Sequence, residues 1–176
     1  MIRVSLSDAE KSVDSIWLWH EKAAAALRER LLQEQVASVP FTRPVFFGMS
    51  EGEIDAFFRE LDYLTILDLL SAAEAALRVD FWTRVHDKAK DDLSREFRKI
   101  AKRFEEKISL EEHILGPWSN DKPEIRGAVG DFRGALKLRN WLAHGRYWTP
   151  KLARKAYSAA DVLDICNELL LKMSLK

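Results

Sequence analysis

SEGEIDAFFRELDYLTILDLLSAAEAAL, residues 50–77, is the stretch on which the fold turns. Ser50 with Glu53 three residues later forms a capping box, in which hydroxyl and carboxylate each satisfy a backbone N–H left open at a helix start. Beyond it Ile54, Phe57, Phe58, Leu61, Leu64, Leu67, Leu70 and Leu77 recur at helical spacing, the longest such run in the chain. The pattern predicts a central core helix.

On the N-terminal side, Ser7 with Glu10 is a second capping box. It predicts a helix through about Ala37, with Val13, Ile16, Trp17 and Leu27 on its apolar side, before Pro40, Pro44 and Gly48 break the chain. On the C-terminal side, Asp91 and Asp92 precede a charged helix expected to reach about Ile108, with a narrow stripe of Phe97, Ile100 and Phe104. Ser109 with Glu112 suggests a short helix, and Gly116-Pro117 and Ser119 to Pro123 read as loops. A fifth long helix starts near Pro123 or Glu124 and runs to His144, where Gly145 supplies a left-handed stop. Ser158 with Asp161 opens a last helix carrying Val162, Leu163, Ile165, Leu169 and Leu170. No segment alternates as a strand, and no repeat is visible. The expectation is an all-α, up-and-down bundle of about five to six helices in a single domain, residues 1–176.

Composition agrees with a folded chain: 47% of the 176 residues are hydrophobic and 32% charged. Cys166 is the only cysteine, so neither a disulfide framework nor a thiolate metal cluster can form, and a reducing cytoplasmic setting is expected. No apolar run approaches signal-peptide or membrane-spanning length, so neither export nor membrane insertion is expected. His20, His86 and His113 are isolated, and no metal site is expected. A P-loop, a dinucleotide fingerprint and a serine-hydrolase elbow are all missing, so no cofactor is expected.

The net charge is zero but unevenly spread. Residues 1–125 hold 18 basic and 24 acidic side chains, whereas residues 126–155 hold 8 basic and 1 acidic. Such a local excess can draw a polyanion to one face, or can simply be a solvated surface.

Within that basic stretch lies Arg139-Asn140-Trp141-Leu142-Ala143-His144-Gly145. This segment resembles the signature of the HEPN superfamily, an Arg and a polar residue followed within a turn or so by His, at the end of a late helix in an all-helical chain. Residues 71–78 are similar to the second-helix segment of abortive-infection and related HEPN proteins. The resemblance implies a metal-independent endoribonuclease, a toxin or antiviral defence effector, that works as a homodimer with two motifs lining one cleft, and it implies an antitoxin or defence-system protein as a possible partner. In HEPN toxins neutralised by nucleotidyltransferases, a modifiable tyrosine follows the His after one residue. Here Gly145 and Arg146 intervene before Tyr147, which argues against that modification.

The residue chemistry suits RNA cleavage by transesterification. His144 can act as general base or acid near neutral pH, Arg139 offers a permanent charge and a forked donor to a phosphate, and Asn140 can orient its neighbours. Asn140 and His144, four apart, share a helix face, whereas Arg139 lies roughly 140° around from His144. Either Arg139 reaches around, or it completes a cleft with His144 of the partner subunit. The bland alternatives are a C-terminal histidine favoured by the helix dipole, a surface ion pair and a solvent-facing amide.

Arg146, Tyr147, Trp148, Lys151, Arg154 and Lys155 interleave cations with aromatics, a combination able to hold phosphates and stack unpaired bases of RNA. The aromatics can equally close the bundle. Gly127, Gly130 and Gly134 predict close helix approach, inside the bundle before a dimer interface. Glu60, Asp62, Asp68 and Glu74 read first as a solvated carboxylate face; Glu74 turned inward would brace Arg139.

Overall fold

The computed structural model describes residues 9–37, 43–105, 107–148 and 157–175. They form α1 (Val13–Val36), α2 (Glu51–His86), α3 (Asp92–Phe104), a π-helical segment (Leu110–Leu115), α4 (Gly116–Asp121), a 3-10 turn (Pro123–Ile125), α5 (Arg126–Ala143) and α6 (Ala159–Met173). No strand occurs among them. The protein is an all-α helical bundle, and none of its described helices is long and apolar enough to cross a membrane.

α2 is the axis, packed against α1, α3, α5, α6 and the π-helical segment. Its start is the capping box read from sequence, Ser50 and Glu53 serving each other's backbone. The apolar periodicity divides it in two. From Thr65 onward Ile66, Leu69, Leu70, Leu77, Phe81 and Val85 are buried, whereas Phe57 and Leu64 in the first half are exposed. Burying each large side chain in the second half contributes roughly 1.5–3 kcal/mol, so that half anchors the bundle. Phe81 lies 4.7 Å from the ring of Phe97 on α3, and Cys166 of α6 sits buried against α2, its Sγ 3.8 Å from the Leu69 carbonyl oxygen. Burial pushes the Cys166 thiol up to about 12, which leaves it un-ionised.

Helix boundaries differ from the sequence reading in three places. α1 begins at Val13, capped by Ser12, whose hydroxyl accepts from the Ser15 N–H. The expected start at Ser7 lies outside the described residues, and Glu10 is not helical. Both serines precede a helix-compatible run, so composition alone does not choose between them. α3 stops at Phe104, and Ile108 is buried from a non-helical stretch instead. The expected loop at Gly116-Pro117 and Ser119 is helical: Pro117 occupies the first turn of α4, where its missing N–H costs nothing, and Trp118 is buried. The short helix after Ser109 is a π-helix, with Ser109 accepting from the Glu112 N–H. Its wider turn lets Leu110, Ile114 and Leu115 all reach the core.

The glycines of α5 correct a further expectation. A Cβ on Gly127 or Gly130 would meet nothing within 4 Å, so neither marks close packing inside the bundle. Only Gly134 does, where a Cβ would come 2.8 Å from the Tyr157 hydroxyl.

Candidate functional site

α5 ends where the motif ends. The His144 N–H still donates to the Asn140 carbonyl at 3.1 Å, Gly145 turns to φ 79°, and the Arg146 N–H donates back to the Trp141 carbonyl at 3.2 Å. This six-to-one bond across a left-handed glycine is a Schellman stop, and it needs glycine because a side chain resists that backbone. It leaves His144 exposed at the helix tip, in the field of the last carbonyls.

Arg139 turns the other way, toward α2. Its Nη2 is hydrogen-bonded to Glu74 Oε2, and its Nη1 donates to Asn140 Oδ1 at 3.2 Å. The second oxygen of Glu74 is also used: Arg78, one turn on, reaches Oε1 through Nε and Nη2, each at 2.8 Å. Arg78 Nη1 donates in turn to the Ile108 carbonyl, which ties the network to the chain entering the π-helix. Glu74 therefore braces Arg139 from a largely buried position, and the solvated carboxylate face expected from sequence is not what forms at this residue. Two guanidinium groups on one carboxylate leave the cluster net positive.

Beside the cluster is a small cavity of about 150 Å³, bordered by Glu74, Ser109, Glu111, Arg139 and Asn140. His144 does not line it. No hydrogen bond or ion pair among the described residues joins Arg139 to His144. Asn140 stands between them, taking the guanidinium on its side chain and the His144 N–H on its carbonyl. The two differ in setting, the cation being largely covered at the α2 seam and the imidazole open to solvent.

Beyond the motif, Arg146 pairs with Glu60 and lies over Tyr63 and Trp141, 4.9 and 5.8 Å from the ring centres. The hydrogen bond from Arg146 holds the Glu60 carboxyl below the usual glutamate range, and the same bond raises Arg146. Tyr147 is 84% exposed and Trp148 37%. Their rings meet edge to face at 4.6 Å, and Trp148 lies 6.3 Å from the His144 ring. Lys151, Arg154 and Lys155 lie outside the described residues.

Sequence reasoning gave no role to Glu60 and Tyr63, yet a signal was present. Glu60, Tyr63, Leu67, Glu74 and Arg78 fall on one side of α2 at helical spacing, and that ridge faces α5. Two of the other histidines are tied into the fold. His20 Nδ1 is 2.9 Å from Thr65 Oγ1, and His113 accepts from the Ser109 N–H while stacking on Phe104. No group of three or more His, Cys, Asp or Glu among the described residues is arranged to hold a metal. No protein-family model matches the chain, and no curated protein or solved structure does.

Proposed function

We propose that the chain is an RNA-cleaving domain of the HEPN type, a metal-independent endoribonuclease that serves as a toxin or antiviral effector in the cytoplasm. The observation that carries the reading is the end of α5: an exposed His144, Asn140 on the same face, and Arg139 held in place by Glu74. A braced arginine loses little freedom when it meets a phosphate, and an exposed imidazole can exchange protons with substrate.

In the reaction His144 takes the 2′-hydroxyl proton, the 2′-oxygen attacks the adjacent phosphorus, and the bond to the 5′-oxygen breaks. The products are a 2′,3′-cyclic phosphate and a 5′-hydroxyl, whose proton comes from a second acid. One chain offers one motif histidine, so a homodimer with two motifs supplies both roles and brings each imidazole to a guanidinium across the cleft. Tyr147 and Trp148 offer exposed ring faces for unpaired bases next to His144. Lys151, Arg154 and Lys155 add phosphate contacts, and substituting the three together weakens RNA binding and flattens its salt dependence.

The test is cleavage of single-stranded RNA by purified protein in the presence of a chelator, with analysis of the ends. Cyclic phosphate ends that disappear in His144→Ala support the reading, and equal cleavage by both proteins rejects it. One observation favours a second reading, a non-catalytic module that binds RNA, a nucleotide or a partner protein: the Arg139 charge is already engaged by Glu74. Binding without cleavage would select it.

A further inference from the structure

Arg146 sits at an odd place for a ligand-binding arginine. Its backbone is left-handed, φ 58°, directly after Gly145 at 79°, a conformation that a residue with a side chain adopts only when its surroundings hold it there. The surroundings are specific. The guanidinium is paired with Glu60 and covered by the rings of Tyr63 and Trp141, while its own N–H closes the helix stop on the Trp141 carbonyl. From the far side of the turn, the Trp141 indole N–H donates to the Trp148 carbonyl at 2.6 Å. His144 therefore lies inside a short loop shut at two points, and both closures pass through Trp141.

We propose that Arg146 is a positioning residue: anchored on α2 by Glu60 and Tyr63, it fixes the turn that sets the direction of the His144 imidazole, and it is not a contact for substrate phosphate. Its consequence for cleavage rests on the nuclease reading above, whereas the clamp on His144 does not. The chemistry separates the two roles. Arg146 and Glu60 neutralise each other, whereas Glu74 is shared by Arg78 and Arg139 and leaves that cluster positive, and two ring faces cover much of what remains of Arg146. The downward shift of Glu60 and the upward shift of Arg146 agree with a lasting pair.

The experiment uses the full chain with Glu60→Gln, Arg146→Gln and the double variant. Glu60→Gln keeps the shape of an exposed side chain, so its folding is not in question. The first readout is the imidazole C–H signals of the four histidines by nuclear magnetic resonance, with His144 assigned from His144→Ala. Both single variants should move or broaden the His144 signal and leave those of His20, His86 and His113 in place. A His144 signal that stays put in either single variant overturns the proposal, whatever happens to cleavage.

The second readout is cleavage of a single-stranded oligoribonucleotide with a chelator present. A positioning role predicts a fall in kcat of about tenfold with KM nearly constant, and a double variant no worse than either single one. A contact role predicts the opposite pattern: KM rises in Arg146→Gln and falls in Glu60→Gln, where the arginine is set free. That pattern also overturns the proposal. If the unaltered protein cleaves no RNA, the nuclease reading fails, and the His144 signal alone decides the clamp.

Discussion

The two ends of α2 use the same chemical pair in different surroundings. Near its C-terminus Asp80 and Arg84, 0% and 8% exposed at the side chain, form a buried clamp, with Nε 2.9 Å from both carboxylate oxygens. Arg84 also lies 3.6 Å from Asp91, the cap of α3, and 4.9 Å from the ring centre of Trp118 on α4. Toward the motif the pairs become wetter: Glu74 and Arg139 are 15% and 28% exposed, Glu60 and Arg146 53% and 31%. Coulomb attraction is weakened by water, and a charge stranded without its partner costs most where water cannot replace it. The buried end is thus where losing one partner costs most. The wet end holds an arrangement of side chains that a ligand can still reach.

The comparison is broken most directly at Asp80. Asp80→Ala takes away the buried partner of Arg84 and leaves it only the longer contact to Asp91, and should cost about 3–5 kcal/mol in urea unfolding. A loss under about 1 kcal/mol would mean that water reaches this end as easily as the other. Glu74→Gln is the intermediate case. It keeps one acceptor oxygen, enough for Arg78 or Arg139 but not both, turns an NH2 toward the other guanidinium and removes the charge, so a loss of about 1–3 kcal/mol is expected. If Glu74→Gln costs as much as Asp80→Ala, the seam is structural, and the functional distinction between the two ends disappears.

The same contrast explains what the sequence could reveal. Capping boxes at Ser50 and Ser158 and the glycine stop at Gly145 are local devices, and each is found where its residues stand. Arg139, Asn140 and His144 stand out together because they are neighbours in the chain, and the structure joins the side chains of the first two. Glu74 was legible only as the second choice and Glu60 not as a partner at all, since a carboxylate on a helix looks the same whether it faces solvent or a guanidinium 65 or 86 residues away. The π-helix and α4 were hidden for a related reason. Gly116-Pro117 is punctuation in isolation, and only the burial of Trp118 behind it makes a helix worthwhile.

Smaller effects come from α5, where two glycines with equal sequence signals differ in space. Gly130→Ala meets nothing and gains helix propensity, so it should raise stability by about 1 kcal/mol. Gly134→Ala brings its Cβ against the Tyr157 hydroxyl, and the shift required offsets part or all of the same gain. Thermal unfolding of the two variants side by side measures the difference. A Gly130→Ala that destabilises would show that something covers this surface in solution, and sedimentation would tell whether that is a second copy of the chain.

The smallest effect concerns carboxylates held below their ordinary range, and it is read from pH. Glu60 is held below the ordinary glutamate value of 4.5 by its bond from Arg146. Burial pushes Glu34 up, but the N–H groups of Val45 and Phe46 together with Arg30 outweigh that and hold it low as well. Asp91 follows the same rule, with burial opposed and outweighed by the Ser94 N–H and hydroxyl. A depressed carboxyl binds protons less readily in the folded chain than in the unfolded one. Its stabilisation is complete above the unfolded value and drains away as pH falls toward the folded one. The melting temperature should therefore be level from neutrality to about pH 5 and drop below about pH 4.5, with a shallower drop in Glu60→Gln. Because Glu60 is open to water, that variant should hardly change the neutral melting temperature. A drop that begins near pH 6.5 instead would mean that these carboxylates are not what limits stability in acid.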